Sequence, residues 1–138
     1  MNGGTERILL VDDDPELRYA AVKMLKALGY AVQTATTGIE ALAVLRWNPG
    51  QFDLIITDQT MPQMKGTELA ARILNTWPGT PIILCSGYQT DPQTLQTAAL
   101  AGDLGIRFFI QKPFTRTEIA GAIRAALKNG TEKPTQER

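Results

Sequence analysis

Five short apolar or β-branched runs, each followed by a stretch with helical rather than strand periodicity, constrain this chain more than any other feature of its sequence. The runs are Arg7 to Val11, Tyr30 to Ala35, Phe52 to Thr57, Pro81 to Ser86 and Ile106 to Gln111. Three of them contain "LLV", "LIIT" and "IILC", which are apolar without alternation, as strands covered on both faces should be. Between the runs the period lengthens. Asp14 can cap a helix with Pro15 at its first position, and Leu17, Ala21, Met24, Leu25 and Leu28 fall on one face before Gly29 ends it. Thr37 and Glu40 have capping-box spacing, Leu42 and Leu45 can face a core, and Asn48 to Gly50 break the helix. A third helix is expected from about Thr67 to Trp77, with Leu69, Ile73, Leu74 and Trp77 inward and Pro78-Gly79 as the stop. Asp91 and Pro92 open a fourth, in a polar stretch that fixes its limits least. Thr115 and Glu118 open a fifth, which buries Ile119, Ile123 and Leu127 before Asn129-Gly130. Strand and helix thus alternate along the whole chain, and that order predicts an α/β fold with a parallel sheet covered by helices on both sides.

The bulk composition narrows the chemistry. A chain of 138 residues that is 43% hydrophobic fits one domain. Its 14 basic and 14 acidic residues cancel, so no overall field favours nucleic acid or an anionic membrane. No apolar run approaches the roughly 20 residues that span a bilayer, and the polar start lacks the apolar core of a signal peptide, so a cytoplasmic protein is expected. The absence of histidine excludes Ser-His-Asp catalysis, His-ligated zinc and a phosphohistidine on this chain. Cys85, alone in its apolar run, reads as an inert buried thiol. Any chemistry must come from carboxylates, hydroxyls and lysine.

In an open parallel sheet, ligands bind beyond the carboxyl ends of the strands. Asp12, Asp13 and Asp14 follow the first strand, Asp58 the third, Ser86 and Gly87 the fourth, and Lys112 and Pro113 the fifth. Carboxylates collected at one rim raise one another's pKa unless a cation sits among them, and a hard dication such as Mg²⁺ suits oxygen ligands. A lysine opposite could hold a phosphoryl group, with the serine hydroxyl donating to one of its oxygens. A carboxylate so placed can attack phosphorus and keep the group as an acyl phosphate.

These motifs resemble those of response-regulator receiver domains of two-component signalling systems, over about Arg7 to Leu127. The matching segments are "LLVDDD", "DLIITDQTMPQMKG", "IILCSGY" and "IQKPF". The resemblance implies a flavodoxin-like, doubly wound (βα)5 fold with five parallel strands in the order 2-1-3-4-5. It implies that Asp58 is the phospho-acceptor, and that Asp13, Asp58 and the Thr60 backbone carbonyl bind Mg²⁺ while Asp12 holds a metal-bound water. Ser86 matches the Ser/Thr switch position, and Lys112 the lysine that contacts the phosphoryl group, with Lys112-Pro113 expected cis. Phe109 stands at the family's aromatic switch position, but without a hydroxyl it can equally remain core in both states. Asp14 matches no ligand position and reads as a helix cap.

The implied function is that of a signalling phospho-acceptor rather than an enzyme, loaded by a histidine kinase or phosphotransfer protein. The expected organisation is a lead at residues 1–6, the receiver at 7–128 and a polar tail at 129–138, as a monomer or weak dimer. The downstream partner is not written in the sequence. The chain reads either as a stand-alone receiver or as one cut from a larger protein such as a hybrid histidine kinase. A haloacid-dehalogenase-type phosphohydrolase is the enzyme alternative, since Asp12-x-Asp14 and Ser86 imitate two of its motifs. It lacks the further acidic motif after a strand downstream of Lys112, and it gives no reason for "TDQTMP". An unphosphorylated interaction module would not need the set Asp12, Asp13, Asp58, Ser86 and Lys112. A dinucleotide-binding domain lacks its glycine-rich loop. Arg72, Arg107, Arg116 and Arg124 read as solvated surface charge, and Trp47 and Trp77 as edge packing at helix ends.

Overall fold

The computed structural model describes residues 6–86, 100–106 and 108–129. The elements are β1 (Arg7–Val11), α1 (Pro15–Ala27), β2 (Ala31–Ala35), α2 (Gly38–Trp47), β3 (Leu54–Asp58), α3 (Gly66–Thr76), β4 (Ile82–Ser86), β5 (Phe108–Gln111) and a C-terminal helix, Arg116–Asn129. Residues 100–103 are also helical. The five strands form one sheet in the order β2-β1-β3-β4-β5, every pair parallel. The expected fourth helix with its Asp91 cap, Gly87, Arg107, residues 1–5 of the expected lead and residues 130–138 of the expected tail lie outside the described residues.

The sheet divides two apolar cores, because alternate side chains of each central strand point to opposite faces. Leu9, Val11, Ile55, Ile82 and Leu84 pack on one side with Leu69 and Ile73 of α3 and Leu42 and Leu45 of α2. Ile8, Leu10, Ile56, Ile83 and Cys85 pack on the other with Leu25 of α1 and Ile119 and Ile123 of the C-terminal helix. Each such Leu or Ile, once fully buried, contributes about 1.5–3 kcal/mol relative to exposure. β4 is buried along its whole length and β1 and β3 nearly so, in keeping with their unbroken apolar sequence.

The helix starts follow local chemistry. Asp14 accepts from the amides of Glu16 and Leu17, so it is the α1 cap. Thr115 and Glu118 exchange bonds as a reciprocal capping box. Thr37 caps Glu40 N–H, but the Glu40 carboxylate reaches one residue further back, to the amide and hydroxyl of Thr36. Two expectations need correction. Leu17, placed inward by periodicity, is 44% exposed: it stands in the first turn of α1, where it lines an open cleft rather than the packed core. Trp47, expected to pack at an edge, is 84% exposed at the last residue of α2, whereas Trp77 does pack against the core. Among the described residues no helix is long and apolar enough to cross a membrane.

Candidate functional site

Parallel register brings the carboxyl ends of the strands to one rim. Asp58 pairs with Cys85, and Ser86 pairs with Gln111. Beyond the ladder, Asp12 N–H still donates to Ala35 O at 3.1 Å and Lys112 N–H to Ser86 O at 2.7 Å, so the backbone bonding continues one residue past β1 and β5. Asp12 is buried, and its Oδ1 accepts from Asp14 N–H at 3.0 Å. Arg18 of α1 turns back to donate from Nη1 to the Asp12 carbonyl at 2.9 Å. Asp13 stands exposed at the mouth, and Asp58 is partly buried at the end of β3.

Lys112 closes this rim from the far side. Its Nζ lies 3.2 Å from Asp12 Oδ2 and 3.4 Å from Asp58 Oδ1. Burial alone would lower its pKa, but Asp58 and Asp12 overcome that and leave it raised, so the ammonium is held in place. Asp58 is the perturbed acid. Burial pushes its carboxyl up, Lys112 holds it back, and Asp12 and Asp13 push it further, to about 6. Asp12, Asp13 and Asp58 each offer one carboxylate oxygen, and these three atoms lie within 4.8 Å of one another. Three carboxylates against one ammonium leave negative charge to be met, and an all-oxygen donor set suits a hard divalent cation.

The remaining expected residues are placed as follows. Ser86 is the buried last residue of β4, on the same rim. Thr60 is exposed in the loop after Asp58, between buried Gln59 and buried Met61. Phe109 lies lower in β5, opposite Leu84, half-buried against the α3 side core. The Lys112-Pro113 peptide is cis. Cys85 is fully buried below the acids, and burial pushes its thiol far above the usual range, so it is inert.

Sequence reasoning missed Arg18, the Gln59 and Thr67 pair, and an apolar cleft beside the acids. Arg18 is one helical turn after Asp14, and only that spacing hints that it returns to the site. Gln59 and Thr67 pair across the loop that follows Asp58, a contact with no local signature. Leu17, Ala20 and Phe114 line a mainly apolar cleft of about 110 Å³ that reaches Asp58 and Lys112.

A family model described as the response regulator receiver domain matches residues 8–124. Sensor kinase CckA of Brucella abortus is 32% identical over 127 residues, which are 91% of this chain and 13% of that protein. Transcriptional regulatory protein GlrR of Escherichia coli is 37% identical over 121 residues, 88% of this chain and 26% of that protein. The chain therefore spans only a small part of these relatives. Among solved structures, a response regulator receiver domain protein from Clostridium thermocellum superposes with a TM-score of 0.82 at 28% identity, covering 89% of this chain and 94% of that one. The signal receiver domain of an HD domain-containing protein from Pseudomonas fluorescens does so at 0.79 and 34% identity, covering 90% and 95%.

Proposed function

Because the chain belongs to the response-regulator receiver family of two-component signalling, we propose that it accepts a phosphoryl group on Asp58 from the histidine of a kinase or phosphotransfer partner. The observation that carries this reading is the Lys112 ammonium set between Asp12 and Asp58 at the sheet's rim. Residues 7–128 are taken as the receiver unit, with residues 1–6 and 129–138 as lead and tail. A relative that is itself a sensor kinase supports a kinase as donor.

An oxygen of ionised Asp58 attacks phosphorus. The new phosphorus–oxygen bond forms as the bond to the donor's imidazole nitrogen breaks, and the imidazole leaves with the electron pair and takes a proton from solvent. Lys112, already beside Asp58, shifts its ammonium to a phosphoryl oxygen as charge gathers there. Ser86, on the neighbouring strand end, donates its hydroxyl to another. Asp13, Asp58 and the Thr60 carbonyl would hold Mg²⁺, with Asp12 orienting a water. That ion, when bound, screens the carboxylates and neutralises phosphoryl charge. Arg18 keeps the Asp12 backbone in register with the rim.

Treatment of the full chain with acetyl phosphate and Mg²⁺ should add one phosphoryl mass, seen by intact mass spectrometry. Asp58→Asn should abolish it. An adduct that persists at full yield in Asp58→Asn, or disappears only in Asp12→Asn as a dehalogenase-type nucleophile would require, overturns the assignment.

A further inference from the structure

The loop after Asp58 is closed by a side chain from its own first residue. Helix α3 starts without help from its cap position, since Lys65 makes no side-chain bond there. First-turn amides need acceptors, and a distant one serves as well as a local one. Gln59 supplies it. Its Oε1 accepts from Thr67 N–H at 2.8 Å, and its Nε2 donates to Thr67 Oγ1 at 3.3 Å. The backbone of Gln59 is fixed as well, its N–H donating to Cys85 O at 2.8 Å and its carbonyl accepting from Gly66 N–H at 3.0 Å. Both Gln59 and Thr67 are buried, at 6% and 8% exposure, so water does not compete for the pair. The segment from Gln59 to Thr67 is thereby a closed ring, with Thr60 next to the clamp.

We infer that Gln59 is a positioning residue for the divalent cation: its clamp on Thr67 holds the Thr60 carbonyl ready as a ligand. The inference rests on the reading of Thr60 given above. Carboxylates attract a cation from any nearby orientation by charge, whereas a neutral carbonyl contributes only if it is already aimed. A residue that orients a ligand without touching the ion changes metal affinity by tenfold or more when removed. The clamp therefore governs how much Mg²⁺ is needed, not the reactivity of Asp58 once the ion is in place.

The test uses the full chain and two readouts, the Mg²⁺ dependence of the thermal midpoint and the Mg²⁺ dependence of labelling by acetyl phosphate. Gln59→Met keeps the volume and loses both side-chain bonds. It should need on the order of tenfold more Mg²⁺ for half-saturation in both readouts, with labelling at saturating Mg²⁺ within about twofold of wild type. Thr67→Val, which removes only the hydroxyl, should move half-saturation the same way by less. Thr67→Ser, which keeps both partners, should behave as wild type. A Gln59→Met protein that melts lower without Mg²⁺ yet half-saturates at the wild-type concentration makes the clamp a helix support only, and overturns the inference. If Gln59→Met does not fold, Thr67→Val decides on the same criterion. Should the wild type bind Mg²⁺ without forming an adduct on Asp58, the acceptor reading falls, while the midpoint comparison still decides the clamp.

Discussion

Between about pH 4 and 6 Asp58 keeps a proton that an ordinary aspartate loses, and it is ionised at neutral pH. Its carboxyl is raised from 3.8 to about 6, first by burial, with Lys112 opposing and Asp12 and Asp13 adding to the rise. A carboxyl with a raised folded pKa binds more protons in the folded than in the unfolded chain between those two values. Stability must therefore fall as pH rises through that window, and above about pH 7 the whole penalty is present, below about 3 kcal/mol because solvent screens part of the carboxyl. In metal-free protein, Asp58→Asn should accordingly be more stable than wild type at neutral pH, with the advantage shrinking towards pH 4. Urea midpoints in EDTA across that range measure it. Parallel curves for the two proteins would remove the proposed cause. Asp14 makes a contrasting case at the same rim. Its carboxylate serves α1 rather than the site, so Asp14→Ala should cost about 1 kcal/mol in urea unfolding and leave the Mg²⁺ dependence of labelling unchanged.

At the scale of elements, glycine marks where the loop and the sheet come closest. A Cβ at Gly66 would run into the Asp58 carbonyl oxygen and the Leu84 side chain, and the backbone side of that contact has little room to give. Gly66→Ala should cost about 1–3 kcal/mol, whereas Gly102→Ala, with open space around it in a helical stretch, should gain up to about 1 kcal/mol. Denaturant titration of the two variants separates these signs. Most elements were legible because their signals are local. The apolar runs found all five strands within a residue or two, and Asp14, Thr37 and Thr115 found three helix starts. The start of α3 was placed within one residue, but its capping partner was not, because Gln59 lies eight residues before Thr67, across a loop. Leu17 escaped because periodicity gives a direction around the helix axis but not whether a neighbour stands there. The acids and Lys112 were legible as strand ends once the sheet was taken as parallel. Arg18 was not, being a helix residue whose role depends on where the helix lies.

At the scale of the molecule, the rim joins elements that lie far apart in sequence. Ser86 ends β4 and Lys112 follows β5, and these strands pair, so if a phosphoryl oxygen draws Ser86 towards it as proposed, β5 and Phe109 are the neighbours that would feel the movement. Beryllofluoride with Mg²⁺ should therefore shift NMR amides from Asp58 through Ser86 to Phe109. Ser86→Ala should keep the shifts around Asp58 and shrink those at Phe109. Undiminished distant shifts in Ser86→Ala would mean that another route carries the signal. The order of strands was taken from a family resemblance, because local pattern says which segments are strands but not which lie side by side. The Lys112 to Asp12 contact also spans one hundred residues of sequence, and it has a consequence for a chain still leaving the ribosome. With the first four strands released, that chain carries its acids without the ammonium that balances them. Only the segment after β5, the fifth strand of this sheet, supplies it, and long-range pairings of this kind form late. If Lys112 acts as proposed, a chain that stops before β5 should take no label from acetyl phosphate, by intact mass, under conditions where the full chain does.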